Sequence, residues 1–412
     1  MKKLITSFAL LSAVIGFGQE PMTVYEDSLL KGDNLLKLSS FNYYSSNRFN
    51  NDLMDKFIFG GEITPEIKDR ANARLSHVNS IGAEAEQRID HYSSDIHLTR
   101  DDRYGLIVSF SDNHLVSANI AEDLYRIAMY GNANYMQDTM QFAFSHLLYQ
   151  HYQKMSVGFF EKRTLSSVQL SYVAGSKTVE GRLNDSWMYS DQDSILMMLQ
   201  GTGFRTDRFR PYMGFQGSGV ALDMNYNFMF DTRKGNSQVL NLKVNNLGFI
   251  IWNNQSHQLA VDSLSTYTGF DIQDFLNREE GDTLNYNFPD TLGFRTQQAK
   301  SLSAMPIEFT LQKLPIRNSG KKLQYLAGFK TILTADYFPY LFAGIYYEPI
   351  NNFSASTRIS YGGFGGLQWG LNLNYWILDR ANFSLGTHNM VGNISKKFGY
   401  GRSINFSAYF KL

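Results

Sequence analysis

The feature that most constrains this chain is a two-residue hydrophobic rhythm, repeated in runs of about 9–11 residues. Leu222, Met224, Tyr226, Phe228 and Phe230 alternate with Asp223, Asn225, Asn227 and Met229. Phe353, Ala355, Thr357, Ile359 and Tyr361 alternate with Ser354, Ser356, Arg358 and Ser360. Leu367, Trp369, Leu371, Leu373 and Tyr375 oppose Gln368, Gly370, Asn372 and Asn374, and the chain ends on Ile404, Phe406, Ala408, Phe410 and Leu412. Further runs begin at Leu106, Val168, Leu240 and Leu323. Period two is the period of a strand, so each run carries one apolar and one polar face. A soluble sandwich is built from strands of about 5–6 residues. A tilted strand that crosses hydrocarbon needs about 9–11.

An isolated sheet edge cannot sit in lipid, because every backbone N–H and C=O there must be paired; the sheet has to close. The fold class expected is therefore all-β: a transmembrane antiparallel β-barrel of about 14 strands, within a range of 12–16, with an N-terminal partly helical plug or cap. Turn signals such as Gly362-Gly363, Gly365-Gly366, Asp379-Arg380 and Asp231 to Gly235 separate the runs. Aromatic residues make up 15% of the chain, and Tyr337-Phe338-Pro339-Tyr340 and Tyr346-Tyr347 sit at strand ends, where a lipid interface suits them. On this reading most aromatics face lipid. Phe410, near the C-terminus, fits the last strand of a barrel. A mean hydropathy of −0.29 is what alternating faces average to.

Residues 1–18 read as a signal peptide: Lys2 and Lys3, then the apolar Leu4 to Phe17, then small residues up to Gly18. The chain has no Cys, which excludes disulfides, thiolate metal sites and a lipid anchor on a cysteine. Lys+Arg and Asp+Glu both number 38, so there is no basic footprint for nucleic acid. The expected division is 1–18 signal peptide, 19–87 N-terminal plug or periplasmic segment, and 88–412 barrel. Within 19–87, Thr64 reads as an N-cap and Pro65 as the first helical residue, with Ile67, Ala71, Leu75 and Val78 at helical spacing. A second helix is expected over Asn119 to Tyr130, and a long acidic loop over 262–300.

No catalytic, cofactor-binding or metal-binding residue is assigned. The eight histidines are His77, His91, His97, His114, His146, His151, His257 and His388, and no pair has ligand spacing along the sequence. Ser145 and His146 are adjacent and point to opposite faces of a strand, and Ser218 in Gly217-Ser218-Gly219 lacks the glycine a nucleophile elbow requires. Asp271, Asp274, Glu279, Glu280 and Asp282 are close but lack the order of a calcium loop.

Phe49 to Ile63 (FNNDLMDKFIFGGEI), Asp123 to Asn132 (DLYRIAMYGN) and Tyr267 to Leu276 (YTGFDIQDFL), with Met305-Pro306 after them, resemble an uncharacterised family of bacterial outer-membrane barrels. That family is known as a domain of unknown function and occurs in bacteria with type IX secretion. Its architecture is similar to FadL-type long-chain fatty-acid transporters and to barrel subunits of that secretion system. The resemblance covers about residues 36–412, but Asp33-Asn34-Leu35 stands where such barrels often carry Asn-Pro-Ala. With the plug-sized N-terminal segment it implies FadL-like passage of a small hydrophobic molecule; the signal peptide and strand pattern lead to the expectation of an outer-membrane monomer in contact with outer-membrane lipid, and the absence of catalytic motifs to that of no enzyme activity and no cofactor. The alternative is a structural or adaptor barrel with a secretion-system or other outer-membrane protein as partner. The ligand-binding residues stay unknown at this point.

Overall fold

Fourteen antiparallel strands hydrogen-bond into a closed ring, each to its neighbour in the wall. In chain order they are β1 (Leu35–Ser46), β2 (Ser80–Ser93), β3 (Tyr104–Asn119), β4 (His146–Glu161), β5 (Ser167–Leu183), β6 (Gly217–Asp231) and β7 (Ser237–Trp252). Then follow β8 (Glu308–Leu314), β9 (Leu323–Ile332), β10 (Phe338–Ile350), β11 (Phe353–Gly363), β12 (Leu367–Ile377), β13 (Ala381–Thr387) and β14 (Gly401–Lys411). The ring closes where β14 pairs with β1 from Leu35↔Lys411 to Ser45↔Gly401. The computed structural model describes residues 24–25, 34–96, 102–206, 215–231, 237–267, 293–334, 336–378 and 380–412. The signal peptide, His97, Asp271 to Asn277 and most of the acidic loop lie outside the described residues.

Burial is inverted relative to a globular protein. On β11 and β12 the polar face is inside: Ser354 is 0%, Asn372 1% and Gln368 4% exposed. The apolar face is outside: Ile359 is 61% exposed and Leu367 76%. The same holds on β4 to β6, where Met155, Val157, Phe159, Leu170, Tyr172 and Phe228 are exposed. The apolar faces read from the sequence therefore form an outer belt, and the core sits in the lumen.

Call the end where β1 begins and β14 ends the base, and the other end the mouth. Connections at the base are short: Asn351 and Asn352 alone join β10 to β11. The longer connections are at the mouth, and carry α1 (Asn51–Phe59), α2 (Pro65–Asn72), α3 (Glu122–Tyr130) and α4 (Met390–Ile394), while β9–β10 and β11–β12 are joined there by short turns. Beyond Gly175↔Gly217, β5 leaves β6 and pairs instead with Ile195–Arg205, which pairs in turn with His257–Tyr267. The wall thus extends past the ring into an upright flap at the mouth.

Four expectations need correction. Wall strand β1 lies inside 19–87 and β2 begins there, so the wall starts well before residue 88. The pattern hid β1 because its inward residues mix Leu35, Lys37, Ser39, Phe41 and Tyr43, with no clean polar face. The helices of this segment sit at the mouth, away from the base. The helix expected from Pro65 to Val78 ends at Asn72, and the helix expected from Asn119 begins at Glu122, because Asn119 completes β3 opposite Ser80 and His146. Last, many aromatics point inward: Tyr43, Tyr337, Tyr340, Phe342, Tyr346 and Phe364 are buried together.

Candidate functional site in the lumen and at the mouth

The inward residues fill the barrel in layers. Towards the mouth, Tyr43 of β1, Leu115 of β3, Leu326 of β9, and Phe342 and Tyr346 of β10 form one cluster with Phe364. These strands lie on different sides of the ring, so their side chains meet across the lumen. Gln368 of β12 donates to the Tyr43 hydroxyl at 3.0 Å and to Ser45 Oγ at 3.2 Å. Phe364 lies flat on Gly82 of β2; a Cβ there would come within 1.9 Å of the ring, so only glycine fits. A second cluster gathers Tyr152, Val173, Ala221, Ile250, Trp252 and Met305.

A layer of charge accompanies them. Lys330 of β9 reaches Glu84 of β2 at 3.0 Å and Glu308 of β8 at 3.2 Å. In a ring of fourteen, β2 and β9 are diametrically opposed, so the Lys330–Glu84 pair spans the lumen. Lys154 bridges Asp223 at 2.8 Å and donates to Asn246 at 2.7 Å. Arg88 holds Asp90 at 2.7 Å. Arg358 stacks on the Phe342 ring and contacts His388. Nearer the base a polar cavity of about 130 Å³ remains, lined by Lys37, Arg88, Asp223 and Lys243. Val24 and Tyr25 line it too. Tyr25 bridges Pro315 and Arg317 through its backbone, and its hydroxyl donates to the Arg163 carbonyl at 2.9 Å.

The apolar concavity is at the mouth, on the outer face of the flap, with a volume of about 400 Å³. That is within the size range of small-molecule sites. Its floor is made by register: Leu147↔Gly181, Gly181↔Gly203 and Leu183↔Gly201 put glycines in a row, and Gly203↔Leu259 and Gly201↔Val261 add the next strand. A Cβ at Gly181 would meet nothing within 4 Å, so this glycine opens space instead of relieving a clash. Ile120, Leu124 of α3 and Phe294 complete the lining. The floor residues lie on four separate segments, so no local motif announces them.

Helix α3 is anchored behind this groove. Tyr125 is 3% exposed, packs on Phe49 with ring centroids 5.5 Å apart, and donates to the Lys68 carbonyl at 3.1 Å. Burial, with the Asp69 charge nearby, pushes the Tyr125 phenol up to about 12. Tyr44 and Arg402 both bind Asp55 of α1, at 2.6 and 2.8 Å. The helices thus pack on each other and on the rim.

The residues weighed in the sequence are mostly dispersed. His146 contacts Asp336, and Ser117 donates to the same carboxylate at 3.0 Å. The carboxylate stands between hydroxyl and imidazole, so no imidazole is placed to take the serine proton, as nucleophilic catalysis requires. The Ser145 hydroxyl accepts from the Ala121 N–H at 3.0 Å. Ser218 lies within β6. His91 lies in β2 and His257 opens a flap strand. His114 and His151, which lack ligand spacing along the sequence, are neighbours in the fold. They are register partners on β3 and β4, with Asp112 beside them. Strand register, which sequence spacing does not reveal, brings them together.

No family model matches the chain, and no curated protein matches it. Solved structures similar to it include a deletion mutant of the monoaromatic hydrocarbon channel TodX, with a TM-score of 0.40 and 9% identity over 92% of this chain and 90% of that one. The toluene transporter TodX of Pseudomonas putida aligns with a TM-score of 0.36 and 9% identity over 96% of each chain. The translocator domain of the autotransporter NalP from Neisseria meningitidis aligns at 0.32 and 8%, over 93% and 91%.

Proposed function

We propose that this chain is an outer-membrane β-barrel, exported by residues 1–18, that captures a small hydrophobic molecule in the mouth groove and passes it inward. The observation that carries the reading is the outer face itself. A belt of exposed Leu, Val, Ile and aromatic residues encircles the wall, and next to it an apolar groove with a glycine floor opens at the mouth. A belt of this kind is stable only against lipid, because water would expose far more contiguous apolar surface than a soluble protein carries. A groove beyond the belt can take an apolar solute from the lipid boundary.

The packed lumen shapes the mechanism. An open diffusion pore is ruled out as a description of this conformation, since the Tyr43–Phe364 cluster and the Lys330–Glu84 pair cross it. Passage in a FadL-like manner then requires these layers to shift after the groove is filled. The chain binds and conducts; its chemistry is apolar contact, without bond making. The Gly181→Phe variant tests this, because it fills the groove from a position with free space. Uptake of radiolabelled toluene and oleate into proteoliposomes is expected to fall roughly tenfold, or about 1.4 kcal/mol, with the barrel intact. Unchanged uptake of both would remove the groove from the pathway.

A second reading is a structural or adaptor barrel of a surface-secretion or outer-membrane complex. The cross-lumen packing favours it, since a scaffold needs no path. It expects no uptake by the wild-type barrel and a stable partner after gentle solubilisation.

A further inference from the structure

We propose that Asp112, His114 and His151 form a site for one Zn²⁺-class divalent metal ion on the outer face of the barrel, between the apolar belt and the mouth groove. His114 and His151 are directly opposed on β3 and β4, and Asp112 lies two residues before His114 on the same face. Phe110 and Met155, both exposed, mark the belt on the base side of them. The two imidazoles stack with centroids 3.9 Å apart and 10° between planes. Their Nε2 atoms converge on one carboxylate, His151 at 2.8 Å from Oδ1 and His114 at 3.3 Å from Oδ2. One ligand atom from each of the three residues falls within 4.8 Å of the others.

Ligand atoms about 2.0–2.2 Å from a tetrahedral metal stand roughly 3.3–3.5 Å from each other. The two nitrogen–oxygen separations, 2.8 and 3.3 Å, are close to this, and all three ligand atoms lie within 4.8 Å of one another. Two imidazoles and one carboxylate are a donor set that holds Zn²⁺ and leaves a fourth position for water or an outside ligand. The Tyr149 hydroxyl, 3.3 Å from His114 Nδ1, fixes that ring with Nε2 toward Asp112, as an outer-shell partner does for a ligating histidine. Side-chain exposures of 20% for Asp112, 20% for His114 and 10% for His151 leave an approach from outside. Lys177 is the register partner of His151, but its ammonium lies over the Tyr149 ring, 5.7 Å from the centroid.

The test is calorimetric titration of ZnCl2 into the full, untagged barrel in detergent. The chain has no cysteine, so thiolates cannot compete. The expected result is one ion per chain with micromolar or tighter affinity. His114→Ala, His151→Ala and Asp112→Asn should each weaken it roughly tenfold or more, while His91→Ala, elsewhere on the outer wall, leaves it unchanged. Heat-dependent gel mobility confirms that each variant remains a folded barrel. A Co²⁺ titration gives an independent readout, with visible bands typical of nitrogen and oxygen ligands. Absence of one-to-one binding below 100 µM, or binding that survives the double variant His114→Ala/His151→Ala, would overturn the proposal.

Discussion

At the scale of single residues, the lumen is held by polar groups that cannot lose a partner cheaply. Lys330 neutralises Glu84 and Glu308, and all three side chains are largely buried. Lys330→Met leaves two facing carboxylates without a cation, a loss of about 3–5 kcal/mol. Urea unfolding of the barrel in lipid is the measurement, and Lys330→Met/Glu84→Gln should recover part of the loss. Gly82→Ala is destabilising for a different reason: its methyl group would occupy the Phe364 ring, and a shifted Phe364 opens the aromatic layer. Conductance in planar bilayers should then rise above that of the wild type. Neither effect can be read from the sequence. Lys330 sits among apolar neighbours, and Gly82 looks like any strand glycine until the ring above it is seen.

At the scale of elements, the legibility of the sequence follows how cleanly the two faces differ. β11, β12 and β14 are evident because polar and apolar residues alternate almost without exception. β1 is hidden because Leu35, Phe41 and Tyr43 point inward. The groove is invisible because Gly181, Gly201, Gly203 and Leu259 acquire a common floor only through register. The same holds for His114 and His151, whose parity could be read but whose pairing could not. The helical cap offers a test at this scale. Tyr125→Ala removes the ring that seats α3 on Phe49, at a cost of about 3–5 kcal/mol. Proteolysis should cut the α1–α3 segments while the wall strands stay protected. The cap also has a pH dependence. The Tyr125 phenol is raised from 10.0 to about 12, so its stabilising effect is full below pH 10 and is lost as pH climbs through about 12. Tyr125→Phe should flatten that alkaline transition.

At the scale of the whole molecule, the inverted burial decides the account. Ser, Asn and charged residues fill the interior and Leu, Ile and aromatics face out, which is the burial that the proposed membrane location requires. The four tryptophans allow a direct measurement. Trp369 faces outward and is 46% exposed, while Trp252 and Trp376 are 0% and 2% exposed inside. A variant keeping Trp369 alone, with Trp187, Trp252 and Trp376 changed to Phe, is refolded into bilayers containing brominated lipids. The account predicts strong quenching of Trp369 by bromine placed along the acyl chains, and weak quenching in the matching Trp252-only variant. Equal quenching of the two, or a protein that stays monomeric in buffer without lipid or detergent, would contradict it.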